Sequence, residues 1–236
     1  MLRGMRDPLS TTALARPALY AAGRYAIFHR GIECGEERWT IEAHPDGRVI
    51  ATGEQEMVAP HPLPHANRYR VTLTDTLRPV GLEIVWSVGG RELHALHGAS
   101  GGRWRARIEY QGHAREQEGD YPDVCEVEYV TPLSNLFVLA RRDFQLGGEH
   151  EFPVLRIGPP MMAVSPERML LRCVERGTFD APWGRVAAKR YVLSLPPRDE
   201  HEGYTFWADE NDFVLESYEG IEPGVTWMKL VELRRG

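Results

Sequence analysis

The chain lacks any apolar run long enough to cross a bilayer as a helix, which excludes a helical membrane span as its working form. No export signal is expected from its first residues either. The apolar stretch Pro17 to Ala22 is too short for a secretory core, and Arg24 follows it closely. Cysteine is scarce: Cys34, Cys125 and Cys173 lie far apart, with no CxxC spacing. An odd count without an export signal predicts free, reduced thiols. Cys125 and Cys173 fall in strand-like segments, where a thiol packs as a small apolar group. The expectation is a cytoplasmic protein with a loose N-terminal arm over residues 1–22. An excess of positive charge is missing too. The formal net charge is −6 with both signs interspersed, which argues against a phosphate-tracking surface and a nucleic-acid partner.

No repeat period and no compositional boundary divides the 236 residues, so residues 23–236 read as one domain. Nor does a catalytic or metal motif stand out, and no cofactor is expected. Gly98-x-Ser100-x-Gly102 formally fits a nucleophile elbow. That elbow needs a helix after its turn, whereas a strong strand pattern follows here, so a turn is the better reading. His94 and His97 are three apart in a strand-like segment and would diverge to opposite faces. His61 and His65 flank a proline-rich loop. Structural or surface roles fit all four histidines better than a metal site, since no Cys or carboxylate stands at a matching ligand interval.

What the chain does have is alternation. From Arg103 to Gln111 every second residue is apolar and the rest are polar, the pattern of a strand with one dry and one wet face. Tyr69, Val71 and Leu73 repeat it, as do Val80, Leu82, Ile84, Trp86 and Val88. Asp46-Gly47, Gly89-Gly90, the Gly98–Gly102 stretch, Gly112-His113 or Gly119-Asp120, and Asn211-Asp212 supply turns. Further strands are predicted at Arg24–Arg30, Glu36–His44, Arg48–Met57, Asp123–Tyr129, Phe152–Ile157, Arg168–Val174, Arg185–Leu195, Tyr204–Asp209, Phe213–Tyr218 and Val225–Leu233. Ala59–His65 and Pro196–Gly203 read as loops. One segment breaks the period. Leu133, Leu136, Phe137 and Ala140 form a helical stripe after Thr131 as N-cap and Pro132 as first helical residue. A short helix from Pro132 to Arg141 is predicted, with a helical turn leading into a strand from Val138 to Leu146 as the alternative.

About a dozen strands predict a mainly β fold, a single large antiparallel sheet with one or two short helices. Twist makes a sheet of that size curl, and its continuous apolar face then encloses either a core or a cavity. Trp86 and Trp104 would pack in that core or line the cavity. Arg141 and Arg142 follow the apolar helix, where they would either favour its C-terminal dipole or hold a polar or anionic group at a cavity mouth. Glu126 and Glu128 share a strand face, as a solvated face or as paired acid–base groups.

The stretch from Cys125 to Arg142 carries a resemblance. Thr131-Pro132, then Asn135, then Arg141-Arg142, with an acidic strand just before, resembles the signature of a bacterial family named for glycolipid binding. That family has Asp where Glu126 and Glu128 stand here, and the residues between Asn135 and Arg141 also depart from its pattern. The resemblance implies a spiral β-roll, related to the half-barrels of lipoprotein carriers. It also implies a small amphipathic ligand, with its acyl part on the apolar strand residues and its polar part at Arg141 or Arg142; Thr131 and Asn135 would contact it, although a helix cap and a turn residue are the commoner roles for these two. The leading expectation is therefore non-enzymatic binding of a lipid or glycolipid in an apolar cavity, involving Trp86, Trp104, Thr131, Asn135, Arg141 and Arg142. An enzyme using the same cavity, or a homodimeric scaffold pairing through an edge strand, are the alternatives.

Overall fold

A computed structural model describes residues 18–195, 203–220 and 224–236. The alternating segments form fifteen strands of one sheet: β1 (Ala18–His29), β2 (Ile32–Ala43), β3 (Val49–Met57), β4 (His65–Leu73), β5 (Pro79–Val88), β6 (Arg91–Ser100), β7 (Arg103–Tyr110), β8 (His113–Asp120), β9 (Glu126–Glu128), β10 (Glu149–Gly158), β11 (Ala163–Ala181), β12 (Gly184–Ser194), β13 (Tyr204–Asp209), β14 (Val214–Glu219) and β15 (Thr226–Arg235). Among the described residues there is a single helix, α1 (Pro132–Leu139), between β9 and β10. The spatial order runs β8 to β1, then β15 down to β9, so the chain builds one wing outward and the other inward until β15 closes on β1. All pairings are antiparallel except β9 with β10.

β8 and β9 end the order and do not pair, so the sheet stays open. It rolls instead. Strand β11 comes against β7 and β8, and the Gln117 side chain accepts a hydrogen bond from the Val164 amide at 3.0 Å. Register shifts on both sides of β1 help bend the sheet where the wings meet. The free edge β8 is exposed along most of its length and carries Arg115, Glu116, Glu118 and Asp120, a charge density that discourages strand addition. Gly89-Gly90 and Gly101-Gly102 both have positive φ at the two central positions, as tight hairpins of matching twist require. Gly98 and Ser100 stay on β6 and another strand follows the turn, so the elbow-like spacing is a hairpin.

The helix is almost wholly enclosed. Thr131 caps it, its hydroxyl accepting from the Leu133 amide at 3.2 Å, and of its eight residues only Asn135 is not buried. Leu133, Leu136 and Phe137 pack into the larger core, to which both wings contribute, while Val138 and Leu139 pack with Phe144, Phe152 and Phe206 under the second wing. A helix gripped from both sides needs apolar residues all round, which is why a one-sided stripe underdescribes it. It ends two residues before the expected Arg141.

Several strand boundaries differ from expectation. β1 begins at Ala18, inside the expected arm, because Ala18–Ala22 pair with β2 and β15. β11 is far longer than Arg168–Val174: its first half pairs with β10 and its second with β12, so it outruns either neighbour. Of Asp123–Tyr129 only Glu126–Glu128 is strand. The loop expected over Pro196–Gly203 lies mostly outside the described residues.

Candidate ligand-binding cavity

Sheet register assembles a polar row on the inner face. Tyr25 on β1 stands opposite Glu37 on β2, which faces Gln55 on β3, then Asn67 on β4, then Trp86 on β5. All five are buried. Glu37 accepts three hydrogen bonds: from the Tyr69 hydroxyl at 2.7 Å, the Thr131 hydroxyl at 2.6 Å and the Gln55 amide at 3.0 Å. Tyr69 reaches it by lying flat across β3, where Gly53 leaves room. A Cβ at Gly53 would sit 2.2 Å from the Tyr69 ring. Tyr129 packs edge-on to Tyr69 at 5.7 Å between centroids and donates to Asn67 at 2.8 Å. No cation lies in this network, so burial pushes the Glu37 carboxyl up to about 7 although the three donors favour its charged form.

Beyond Gln55 the row turns toward open space. His65 Nδ1 is 2.8 Å from the Leu63 carbonyl and Nε2 is 3.1 Å from Gln55 Oε1. A carbonyl only accepts, so Nδ1 carries a proton, and Nε2 then faces an amide oxygen that also only accepts. Complete bonding needs one more proton in the His65–Gln55–Glu37 chain. It sits on Nε2, or on Glu37 with the Gln55 amide turned over. Burial opposes charge at both ends, lowering His65 and raising Glu37, and so favours the second arrangement.

His65 stacks on Trp86 with centroids 4.0 Å apart, and both line an open cavity of about 340 Å³. That volume is within the range of roughly 300–1,000 Å³ usual for small-molecule sites. Met57, Leu193, Tyr204, Trp227 and Met228 contribute apolar lining, and Thr131, Asn135 and Glu128 contribute polar groups. Trp227 stacks on Phe28 at 4.1 Å. Burial lifts the Glu128 carboxyl to about 7 against the pull of Arg156, 3.2 Å away.

No family model and no curated protein matches the sequence. Solved structures do resemble the fold. A β-barrel-like protein of domain of unknown function DUF1849 from Brucella abortus aligns with a TM-score of 0.56 at 8% identity, over 92% of this chain and 98% of that one. A DUF1089 family protein from Pseudomonas aeruginosa aligns with a TM-score of 0.49 at 16% identity, over 95% of this chain and 97% of that one. The first of these likenesses shows the rolled-sheet fold; function has to be argued from the site.

The six residues singled out from sequence divide in two. Trp86, Thr131 and Asn135 line the cavity. Trp104 is buried elsewhere in the first wing, its indole donating to His97 at 3.3 Å and packing against Tyr121. Arg141 and Arg142 both pair with Glu126, a carboxylate only 1% exposed, and neither lines the cavity. Glu126 and Glu128 thus part company: one is locked in an ion cluster, the other faces the cavity. His61 joins His65 in the wall, 5.9 Å ring to ring, whereas His97 is buried and held neutral, its pKa lowered to about 4 by burial. Among the described residues no group of three His, Cys, Asp or Glu side chains is arranged to hold a metal. All three cysteines are free and buried.

Sequence reasoning missed Glu37, Gln55 and Asn67. Their signal was parity: each shares a strand face with apolar neighbours, Glu37 with Trp39 and Ile41, and Asn67 with Tyr69 and Val71.

Proposed function

We propose that the protein binds a small amphipathic molecule in this cavity without transforming it. The observation that carries the reading is the division of the cavity's lining between aromatic and aliphatic side chains and hydrogen-bonding groups, among them Thr131 and Asn135 at the start of α1. Trp86, Trp227 and Leu193 would hold the apolar part, and Thr131 and Asn135 the polar part. A glycolipid-like or lipid-like ligand fits this division and the Thr131-Pro132 resemblance. Arg141 and Arg142, bound to Glu126, would support the helix from its other end. A second reading rests on Glu128. A carboxyl near 7 in a cavity wall is suited to acid–base work.

Mass spectrometry of natively purified protein, before and after denaturation, tests the binding reading. A released amphiphile in near-stoichiometric amount is expected. A cavity that holds nothing and takes up no lipid-like probe in titration would discard it. A probe that is turned over, with loss of turnover in Glu128→Gln, would favour the second.

A further inference from the structure

The charges around the cavity bear on the ligand's polar end. Among the described residues its wall contains Glu128 and Glu219 but no lysine or arginine. Arg156 does not neutralise the acidic side, because it is divided between Glu128 at 3.2 Å and Glu167 at 3.9 Å. One guanidinium between two carboxylates leaves a net negative charge at the wall. An anionic head group would meet this charge without compensation, whereas a cation would supply what the site lacks.

The aromatic groups point the same way. Trp86 and Trp227 each have one face covered, by His65 and Phe28, and both line the cavity with Tyr204 and Tyr218. Indole and phenol rings attract ammonium groups through their negative faces. Trp86 is 4% exposed and its indole N–H has no partner among the described residues. A buried donor of this kind calls for an oxygen acceptor.

Resting on the amphiphile-binding reading, we infer that the ligand's head group is a protonated amine or quaternary ammonium with a neighbouring hydroxyl or carbonyl oxygen, as in a long-chain amino alcohol. The ammonium lies between Glu128 and the aromatic rings, and the oxygen accepts from Trp86.

Three probes with the same alkyl chain separate head group from tail: N-decylethanolamine, decyl glucoside and decanoate, each titrated below its micelle concentration by calorimetry. The amine is expected to bind about tenfold tighter than the glucoside, and decanoate weakest of all. Added salt should weaken the amine arm alone, because screening acts on charge. Glu128→Gln, checked for folding by its thermal transition, should abolish the amine's advantage over the glucoside. Equal binding of all three, or decanoate binding tightest, overturns the cationic head group and leaves amphiphile binding standing. An amine preference untouched by both salt and Glu128→Gln also overturns it. Binding of none of the three overturns both readings.

Discussion

Two buried glutamates stand near opposite ends of the one helix, and the fold treats them in opposite ways. Near the C-terminal end, Glu126 is met by two arginines from the chain just after α1. Arg142 also lies over the Phe152 ring at 4.4 Å. Burial and the mutual repulsion of the guanidiniums hold Arg141 down to about 10, so each cation needs the carboxylate. At the N-terminal end, Glu37 is met only by neutral donors, helped by the positive end of the helix dipole. One carboxylate is cross-linked and structural. The other is poised and adjoins a cavity. A buried charge with counter-charges holds a structure together, whereas one without them responds to protons and ligands.

Removing the first should do the most damage. Glu126→Ala leaves two largely buried guanidiniums without their partner, and breaking such a buried cluster costs about 3–5 kcal/mol. Urea unfolding followed by tryptophan fluorescence should show a lowered midpoint of that size. In whatever fraction remains folded, probe binding should be unchanged. A stable Glu126→Ala protein that fails to bind would reverse the roles assigned to the two glutamates.

How much of this contrast was legible beforehand depended on distance along the chain. Thr131 and Pro132 announced the helix start because a cap is a local device. Hairpin strands were legible because alternation and turn residues are local too. The pairing of Arg141 and Arg142 with Glu126 was not, since it depends on how three-residue β9 sits beside the turn after α1. The polar row was half-legible. Parity places Glu37 and Gln55 inward, but only the register of β2 on β3 makes them neighbours, and only the bare backbone at Gly53 lets Tyr69 reach over to join them. Trp86 and Trp104 share the same inward parity. What separates them is that Trp86 stacks on His65 beside the cavity whereas Trp104 packs on Tyr121, and no local pattern encodes that.

Acidity should act next on Glu37, and with it on Glu128 in the cavity wall. Burial raises the Glu37 carboxyl from its ordinary 4.5 to about 7. Glu128 rises likewise to about 7, facing Arg156 on β10, Glu167 on β11 and Tyr204 on β13. Between about 4.5 and about 7 the folded protein therefore binds more protons than the unfolded chain. These two groups contribute stability that is fully present below 4.5 and lost as pH rises through about 7. The slope is at most about 1.4 kcal/mol per pH unit for each group, and about 3 kcal/mol across the window is an upper bound for one of them. The lowered His97 and His65 act in the opposite sense over this window, so the test is a difference: the urea midpoint of Glu128→Gln should gain on that of wild type as pH rises, because the variant lacks one of the two losses. A difference between the two proteins that stays constant across the window would mean that Glu128 is ionised throughout it.

Thr131 is where helix and poised carboxylate meet, and its substitution should have the smallest effect and the most specific one. Its hydroxyl caps the helix at Leu133 and donates to Glu37. Thr131→Val keeps the shape and removes both bonds, a loss of about 1–2 kcal/mol. That loss should itself depend on pH. The Thr131 donor favours the charged carboxylate, so without it the Glu37 carboxyl rises further. The variant should therefore be penalised least in acid, where Glu37 is protonated in either protein, and most above pH 7, where it must ionise with one donor fewer. Thr131→Ser restores the hydroxyl and should recover most of the stability at both ends of the range. If Thr131→Val lost the same stability at every pH, the hydroxyl would be acting as a helix cap alone, and Glu37 would owe its state to Tyr69 and Gln55.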